Sequence, residues 1–418
     1  MSVRAGDILI DVSPLRTSVD FRWLYAARLV SILSIGLIGV AVSMQVFELT
    51  RSSLHVGLVN LCLAVPMTIG LLWGGVLADR LDRQQLMVST RGAYVAVVLT
   101  FLLNSIAPHP QLGVIYAAAL VAGAINGLSG PPLLASLPSL VERPQIAAAG
   151  ALITVANQVG AVLGPSLGGV VVARWGFVAC YTVVAVGAVL TPIVLSRIKP
   201  LPPVPGRPSL PVLHSLAEGW RFVRGNRLIR ALVSIEIAAA LFASPTALFP
   251  QLGLERYLGG PEAVGFLYAA PGVGALIGAL TSGWTGRATT GRALVIAILV
   301  WGAATAAVGP MPALAGALFL LAVAGVGRAT SEILRRAMLQ HNTPPELQGR
   351  IGSVWLIQAT VLPSLGNVLL GGATKVMAPT TAILAGGIVC LVVTVWLAVA
   401  NRELWTGSES IPEAIPIE

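Results

Sequence analysis

Arg28, Arg91, Glu236, Arg328 and Glu332 are ionisable residues that stand inside long apolar runs. A charge in such a run is costly unless paired or hydrated, so each is a candidate for gripping a solute or moving an ion. At a helical rise of about 1.5 Å per residue, Glu236 lies about 12 Å into its run and Arg328 about 15 Å from the end of its own. Both depths are near the middle of a bilayer. Glu332 follows Arg328 by one turn on the same helical face. A carboxyl group at that depth can take up and release a proton. Glu236 is therefore the first candidate proton carrier, and Glu332 is the rival nearer water. The plainer alternative is a structural ion pair between the two runs. For Arg28 the alternative is snorkelling to the interface, and for Arg91, close to a charged loop, snorkelling is the expected behaviour.

Two motifs flank these charges. In GGVLADRLDRQQ (74–85) an apolar run ends in Asp79, Arg80, Asp82 and Arg83. Asp79 sits at the negative end of its own helix dipole and needs a cation or another helix's N-terminus. Gly74 and Gly75 would let a neighbouring helix approach closely. The charges either latch a close-packed joint or simply mark the membrane boundary. In NQVGAVLGPSLGG (157–169), Gly160, Gly164 and Gly168 share one helix face, with Gly169 next and Pro165 able to bend the helix. Gly274 and Gly278 in APGVGALIG offer a candidate partner face. Tight helix packing alone is the bland reading of these glycines.

The elements that carry these residues must be membrane helices. The chain of 418 residues is 56% hydrophobic and 10% charged, against about 25% charged for soluble domains. A mean hydropathy of +0.86 points the same way. Cys62, Cys180 and Cys390 all lie in apolar runs and make neither a disulfide framework nor a zinc spacing. His55, His109, His214 and His341 are far apart, so no metal site is expected. The only lysines, Lys199 and Lys375, lie outside any Gly-rich phosphate loop, so the chain should bind no ATP and need no cofactor. Asp7, Asp11 and Asp20 interrupt the N-terminus, and no secretory signal is expected there.

Apolar runs place about twelve spans at 23–49, 55–79, 86–106, 112–136, 145–173, 175–197, 228–250, 261–284, 290–309, 312–338, 351–374 and 379–401. An even count puts both termini on one side. Placing them in the cytoplasm puts about 19 of the 26 Lys and Arg in cytoplasmic segments and about 4 (Arg51, Arg174, Arg256 and Lys375) outside. That bias accounts for the net charge of +9 without any nucleic acid. The expected organisation is a cytoplasmic segment (1–22), a six-helix half (23–197), a cytoplasmic linker (198–227), a second six-helix half (228–401) and a tail (402–418). The linker opens with the stiff KPLPPVPGRP. Leu213, Leu216, Trp220 and Val223 then share one helical face, which either lies on the membrane surface or belongs to an ordinary linker helix. LPSLVERPQIAAAGALITVANQ (137–158) and MLQHNTPPELQGRIGSVWLIQA (338–359) echo each other, each with a proline loop, a Glu, a Gly and a Gln. Such a two-fold repeat is a mark of secondary transporters.

The charged loop resembles the signature of the major facilitator superfamily, Gly-x-x-x-Asp-Arg-x-Gly-Arg-Lys. Gly75, Asp79, Arg80 and Arg83 are in register, while Asp82 replaces the usual glycine and Gln84 the second basic residue. The resemblance implies an all-α membrane fold of twelve helices in two pseudo-symmetric halves, with this loop gating alternating access. Gly160, Gly164, Pro165, Gly168 and Gly169 match the superfamily's exporter motif, Gly-x-x-x-Gly-Pro-x-x-Gly-Gly, which implies proton-coupled export. The superfamily's arginine motif in the fourth helix is missing, and Asn126 stands there instead. GFLYAAPGVGALIGALTSG (265–283), ARLVSILSIGLIGVAV (27–42), GGVLADR (74–80) and MLQHNTPPELQGRI (338–351) are similar to the catecholate siderophore exporters of the bacterial inner membrane, a branch that also has drug-exporting relatives. In that fold the first, fourth, seventh and tenth helices line the central cavity, which implies that Arg28, Asn126, Glu236, Arg328 and Glu332 face the substrate. The expectation is a monomeric transporter in the bilayer, with a siderophore-like molecule and protons as its partners. A general multidrug antiporter is the alternative within transport. A multispanning enzyme lacks a convergent His, Asp or Ser constellation, and a scaffold would gain little from buried charges.

Overall fold

A computed structural model of the chain describes residues 11–203, 212–282, 290–344, 347–401 and 404. Among them the regular structure is entirely helical. After a short α1 (Ser13–Thr17) come α2 (Val19–Thr50), α3 (Ser53–Arg80), α4 (Arg83–Ile106), α5 (Leu112–Leu140) and α6 (Ile146–Leu195). The helix α7 (Val212–Gly225) leads into α8 (Arg227–Phe242), then the single turn α9 (Phe249–Gln251) and a wide turn at Leu252–Arg256. The rest is α10 (Gly260–Leu280), α11 (Thr290–Val308), α12 (Leu314–His341), α13 (Gln348–Ala373) and α14 (Pro379–Ala400). Residues 1–10 of the expected N-terminal segment (1–22), 204–211 of the linker, 283–289, Pro345, Glu346, and 402–403 and 405–418 of the expected tail (402–418) lie outside the described residues.

Eleven segments among the described residues are long and apolar enough to cross a bilayer. In lipid every backbone polar group must be satisfied within the protein, and helices do this segment by segment. Exposed apolar side chains such as Leu103, Val186, Trp396 and Val399 suit a lipid surround. The 50 residues of α6 would run about 75 Å if straight, more than twice the roughly 30 Å hydrocarbon core. The helix is broken at Gly176, where φ is 78° and ψ 178°. Glycine takes that backbone without a steric penalty. Exposed Trp175 beside it, with Arg174 before it, is the pairing found at a membrane face.

The chain divides into two compact units. The first comprises residues 1–50, 62–209 and 260–269. Its helices touch through glycines. A Cβ on Gly164 would come within 2.8 Å of the Gly36 Cα, and one on Gly74 within 2.9 Å of the Leu128 carbonyl. One buried cluster, with Phe21, Leu24, Met87, Leu137, Leu152 and Leu195, fills one end of this unit.

The second unit comprises residues 51–61, 210–259 and 270–418. Its core gathers Leu228, Leu232, Ile298, Trp301, Leu334 and Met338. Here α8 stops at Phe242, and its freed backbone groups find partners. Trp301 Nε1 donates to the Ala243 carbonyl at 2.9 Å, and the Ala247 N–H donates to Asn367 Oδ1 at 2.9 Å. A helix interrupted within an apolar span and re-satisfied by side chains is typical of transporters. The linker helix α7 docks on α13: Arg350 Nη1 lies 2.7 Å from Glu218 Oε2, and Gly219 faces the Arg350 carbonyl. Val223 is buried while Trp220 is exposed, so the shared apolar face expected of this helix is split between them. The side chains of Leu213 and Leu216 lie outside the described residues.

Candidate transport site

In the first unit, α2 and α6 hold Arg28 and Asn157 together, with Arg28 Nε donating to Asn157 Oδ1 at 3.0 Å. Arg91, from α4, donates from Nη1 to Asn126 Oδ1 of α5 at 3.1 Å. The Arg91 guanidinium also lies 6.0 Å from the centre of the Tyr94 ring. The snorkelling expected of Arg91 does not occur. The side chain turns into the helix bundle and is only 8% exposed, because Asn126 and Tyr94 give it partners there. A guanidinium thus reaches the fourth span after all, supplied by its neighbour. Between these groups lies a cavity of about 20 Å³, lined by Arg28, Arg91, Ser31, Ser129 and Thr191 among others. The two positive charges are close enough to repel.

The charged loop belongs to the same unit. Arg83 is buried and clamps two helix ends, donating to the carbonyls of Ala78 at 3.2 Å and Ala135 at 3.1 Å. Asp82 caps α4: its Oδ1 accepts from the N–H groups of Gln84 at 2.8 Å and Gln85 at 3.0 Å. Aspartate and glycine both suit an N-cap, which explains how Asp82 replaces the signature's glycine. Asp79 is half-buried and makes no hydrogen bond or ion pair among the described residues. Gly74 meets α5 as expected, whereas Gly75 faces open space.

The exporter-type glycines, and separately Gly274 and Gly278, find their partners within their own units. Gly160, Gly164 and Gly168 pack against Ile32, Gly36 and Leu37 of α2, and a Cβ on Gly169 would come within 2.8 Å of the Gly265 Cα on α10. Gly274 and Gly278 instead face Ala322 and Val326 of α12. Rotation of each helix about its axis decides this, and glycine spacing along one helix does not encode it.

In the second unit Glu236 of α8 is buried, but its partner is Arg335 rather than Arg328. Arg335 Nη2 lies 3.4 Å from Glu236 Oε1, and the Arg335 side chain is 2% exposed. Among the described residues, Glu236 Oε2 and Arg335 Nε and Nη1 have no hydrogen-bond partner. Arg328 is exposed, and Glu332 pairs with Arg336 at 2.9 Å, whose guanidinium sits 4.0 Å from the centre of the Trp355 ring. Sequence reasoning missed Arg335 because it adjoins Arg336 near the end of α12 and reads as a boundary charge. The available signal was the i,i+4 spacing of Glu332 and Arg336, which uses up Arg336 and leaves Arg335 on another face. No group of three or more acidic, His or Cys side chains that could hold a metal occurs among the described residues.

This bundle of glycine-packed apolar helices, with a broken helix and buried charges, is a multi-pass membrane transporter of the major facilitator type. Solved structures share the fold. A single-residue mutant of a peptide transporter POT has a TM-score of 0.75 at 12% identity, over 94% of this chain and 96% of that one. A single-residue mutant of the nucleoside transporter NupG has a TM-score of 0.74 at 13% identity, over 92% and 100%. The particular family follows from the sequence: the chain belongs to the transmembrane secretion effector family, whose sequence model matches residues 10–414. It is 34% identical over 406 residues, 97% of each chain, to the enterobactin exporter EntS of Shigella boydii serotype 18 and to that of Escherichia coli O81.

Proposed function

We propose that this protein exports a siderophore-like small molecule across the bacterial cytoplasmic membrane in exchange for protons. The observation that carries the substrate class is the near full-length relationship to the enterobactin exporters. The break at Gly176 within one of the eleven apolar segments supports a reading of twelve spans in two six-helix halves. Both termini then lie in the cytoplasm, the side favoured by the Lys and Arg distribution. The chain works as a monomer in the bilayer, without cofactor, nucleic acid or catalytic chemistry of its own.

Glu236 is the proton carrier. While ionised it holds Arg335. A proton arriving from outside removes that attraction, and the unused bonding capacity of both side chains lets each take other partners. Release of the proton to the cytoplasm restores the pair as the next substrate binds. Glu332 is the rival carrier, and its exposed pair with Arg336 is already hydrated. Arg28, Asn126 and Arg328 supply donors to the hydroxyl and acidic oxygens of the cargo. Asp79, with Gly75, Arg80 and Arg83, forms the gating loop, and Asp79 finds its partner in the cytoplasm-closed state. The test is flux into inverted membrane vesicles under an imposed pH gradient. Accumulation of an iron-free catecholate siderophore is expected. Accumulation of cationic drugs without the siderophore would favour multidrug efflux, and no flux of either would contradict export.

A further inference from the structure

Arg28 and Arg91 face one small cavity in the first unit, and no carboxylate pairs with either among the described residues. Two acidic groups of this unit are engaged elsewhere: Asp20 pairs with Lys199 at 3.5 Å, and Asp82 caps α4. The partners of the two arginines are the neutral amides Asn157 and Asn126. An amide oxygen satisfies one hydrogen bond, but it does not cancel a charge. Charges buried in a membrane protein are otherwise paired with opposite charges or with water.

The cavity supplies donors and no acceptor of full charge. Each guanidinium carries five N–H groups, of which one nitrogen is engaged on each residue. The hydroxyls of Ser129 and Thr191 donate to their own helix, to the carbonyls of Asn126 and Gly187, so they add no free proton. The buried Ser31 hydroxyl makes no hydrogen bond among the described residues and can donate into the cavity. Leu24, Leu133 and Leu195 complete the wall and lower the local dielectric, which strengthens any anion's attraction to the two guanidiniums. The volume of about 20 Å³ has room for a small body of the order of one water molecule.

We infer that this chamber binds a single halide-sized anion, chloride in the cell, held by Arg28, Arg91 and Ser31. The ion neutralises one of the two charges, half-buried Arg28 or buried Arg91, and fixes α2, α4, α5 and α6 to one another. The inference shares Arg28 with the proposed cargo site, but it concerns anion binding alone and is read without transport.

The test is thermal unfolding of the purified full-length protein in detergent, at constant sodium and ionic strength, with chloride or bromide replaced stepwise by gluconate. Expected is a saturable rise in Tm with chloride and with bromide. Arg28→Gln and Arg91→Gln should each lose that dependence, since one guanidinium no longer holds the ion. Equal Tm in chloride and gluconate, or an undiminished chloride effect in both variants, would overturn the site. Should the variants fail to fold, bromide-soaked crystals of the unaltered protein decide. An anomalous peak between Arg28 and Arg91 supports the site, and a map with no peak there refutes it.

Discussion

Arg91 in the first unit and Arg335 in the second are both more than nine-tenths buried, yet they are held differently. Arg91 donates to the neutral amide of Asn126, whereas Arg335 faces the carboxylate of Glu236. A neutral partner satisfies direction and leaves the charge in force. A carboxylate cancels the charge, but only while it is ionised. The first arrangement is a standing positive field that a mobile anion can answer. The second is a contact that one proton can open, and it is therefore the part of the molecule suited to coupling.

The largest expected effect separates these two arrangements by stability. Arg335→Ala leaves Glu236 buried without its cation and should cost about 3–5 kcal/mol, while replacing both Glu236 and Arg335 by apolar residues of similar volume should recover most of it. Chemical or thermal unfolding in detergent measures both. Equal losses in the single and double variants would mean the pair is not coupled. Arg91→Leu, by contrast, relieves like-charge repulsion while stranding one amide, so it should cost less than Arg335→Ala in the same assay.

A smaller effect is expected where backbones touch. Gly164→Val must push Gly36 away and should cost about 1–3 kcal/mol, seen as a lower yield of folded protein. Gly75→Ala, whose Cβ meets nothing within 4 Å, should stay within about 0.5 kcal/mol of the natural protein. Equal behaviour of the two would deny that Gly164 is a contact point.

The smallest stability effect sits in the charged loop. Asp82→Ala removes the cap of α4 and should cost about 1 kcal/mol, whereas Asp82→Gly should cost only a few tenths. Asp79→Asn should leave stability unchanged and still cut transport several-fold, because the proposed gate uses Asp79 in the cytoplasm-closed state. Normal flux in a well-expressed Asp79→Asn protein would remove Asp79 from the gate.

Long apolar spans were legible because lipid demands them, although eleven such segments rather than twelve stand among the described residues; the expected boundary between 145–173 and 175–197 falls beside the observed break at Gly176. The burial of Glu236 was legible from its depth. Its partner was not. Arg328 and Arg335 are seven residues apart, two turns of one helix, and only the rotation and depth of α12 against α8 choose between them. Arg91 was misread for a related reason. Distance from a loop says how near the interface a residue starts, but it does not say that Asn126 waits on the neighbouring helix. The Asp82 cap was readable as an acidic residue just before a helix, but the comparison with a glycine motif drew attention to what it lacked.

The central claim is that Glu236 couples protons to export, and flux in proteoliposomes with and without a pH gradient tests it most directly. Glu236→Gln keeps the size of the side chain and resembles its neutral, protonated form, but can no longer change charge. It should bind substrate and exchange it downhill at near the natural rate, while losing uphill, pH-driven export altogether. Glu332→Gln should retain both. Uphill export at the normal rate by Glu236→Gln would contradict the account.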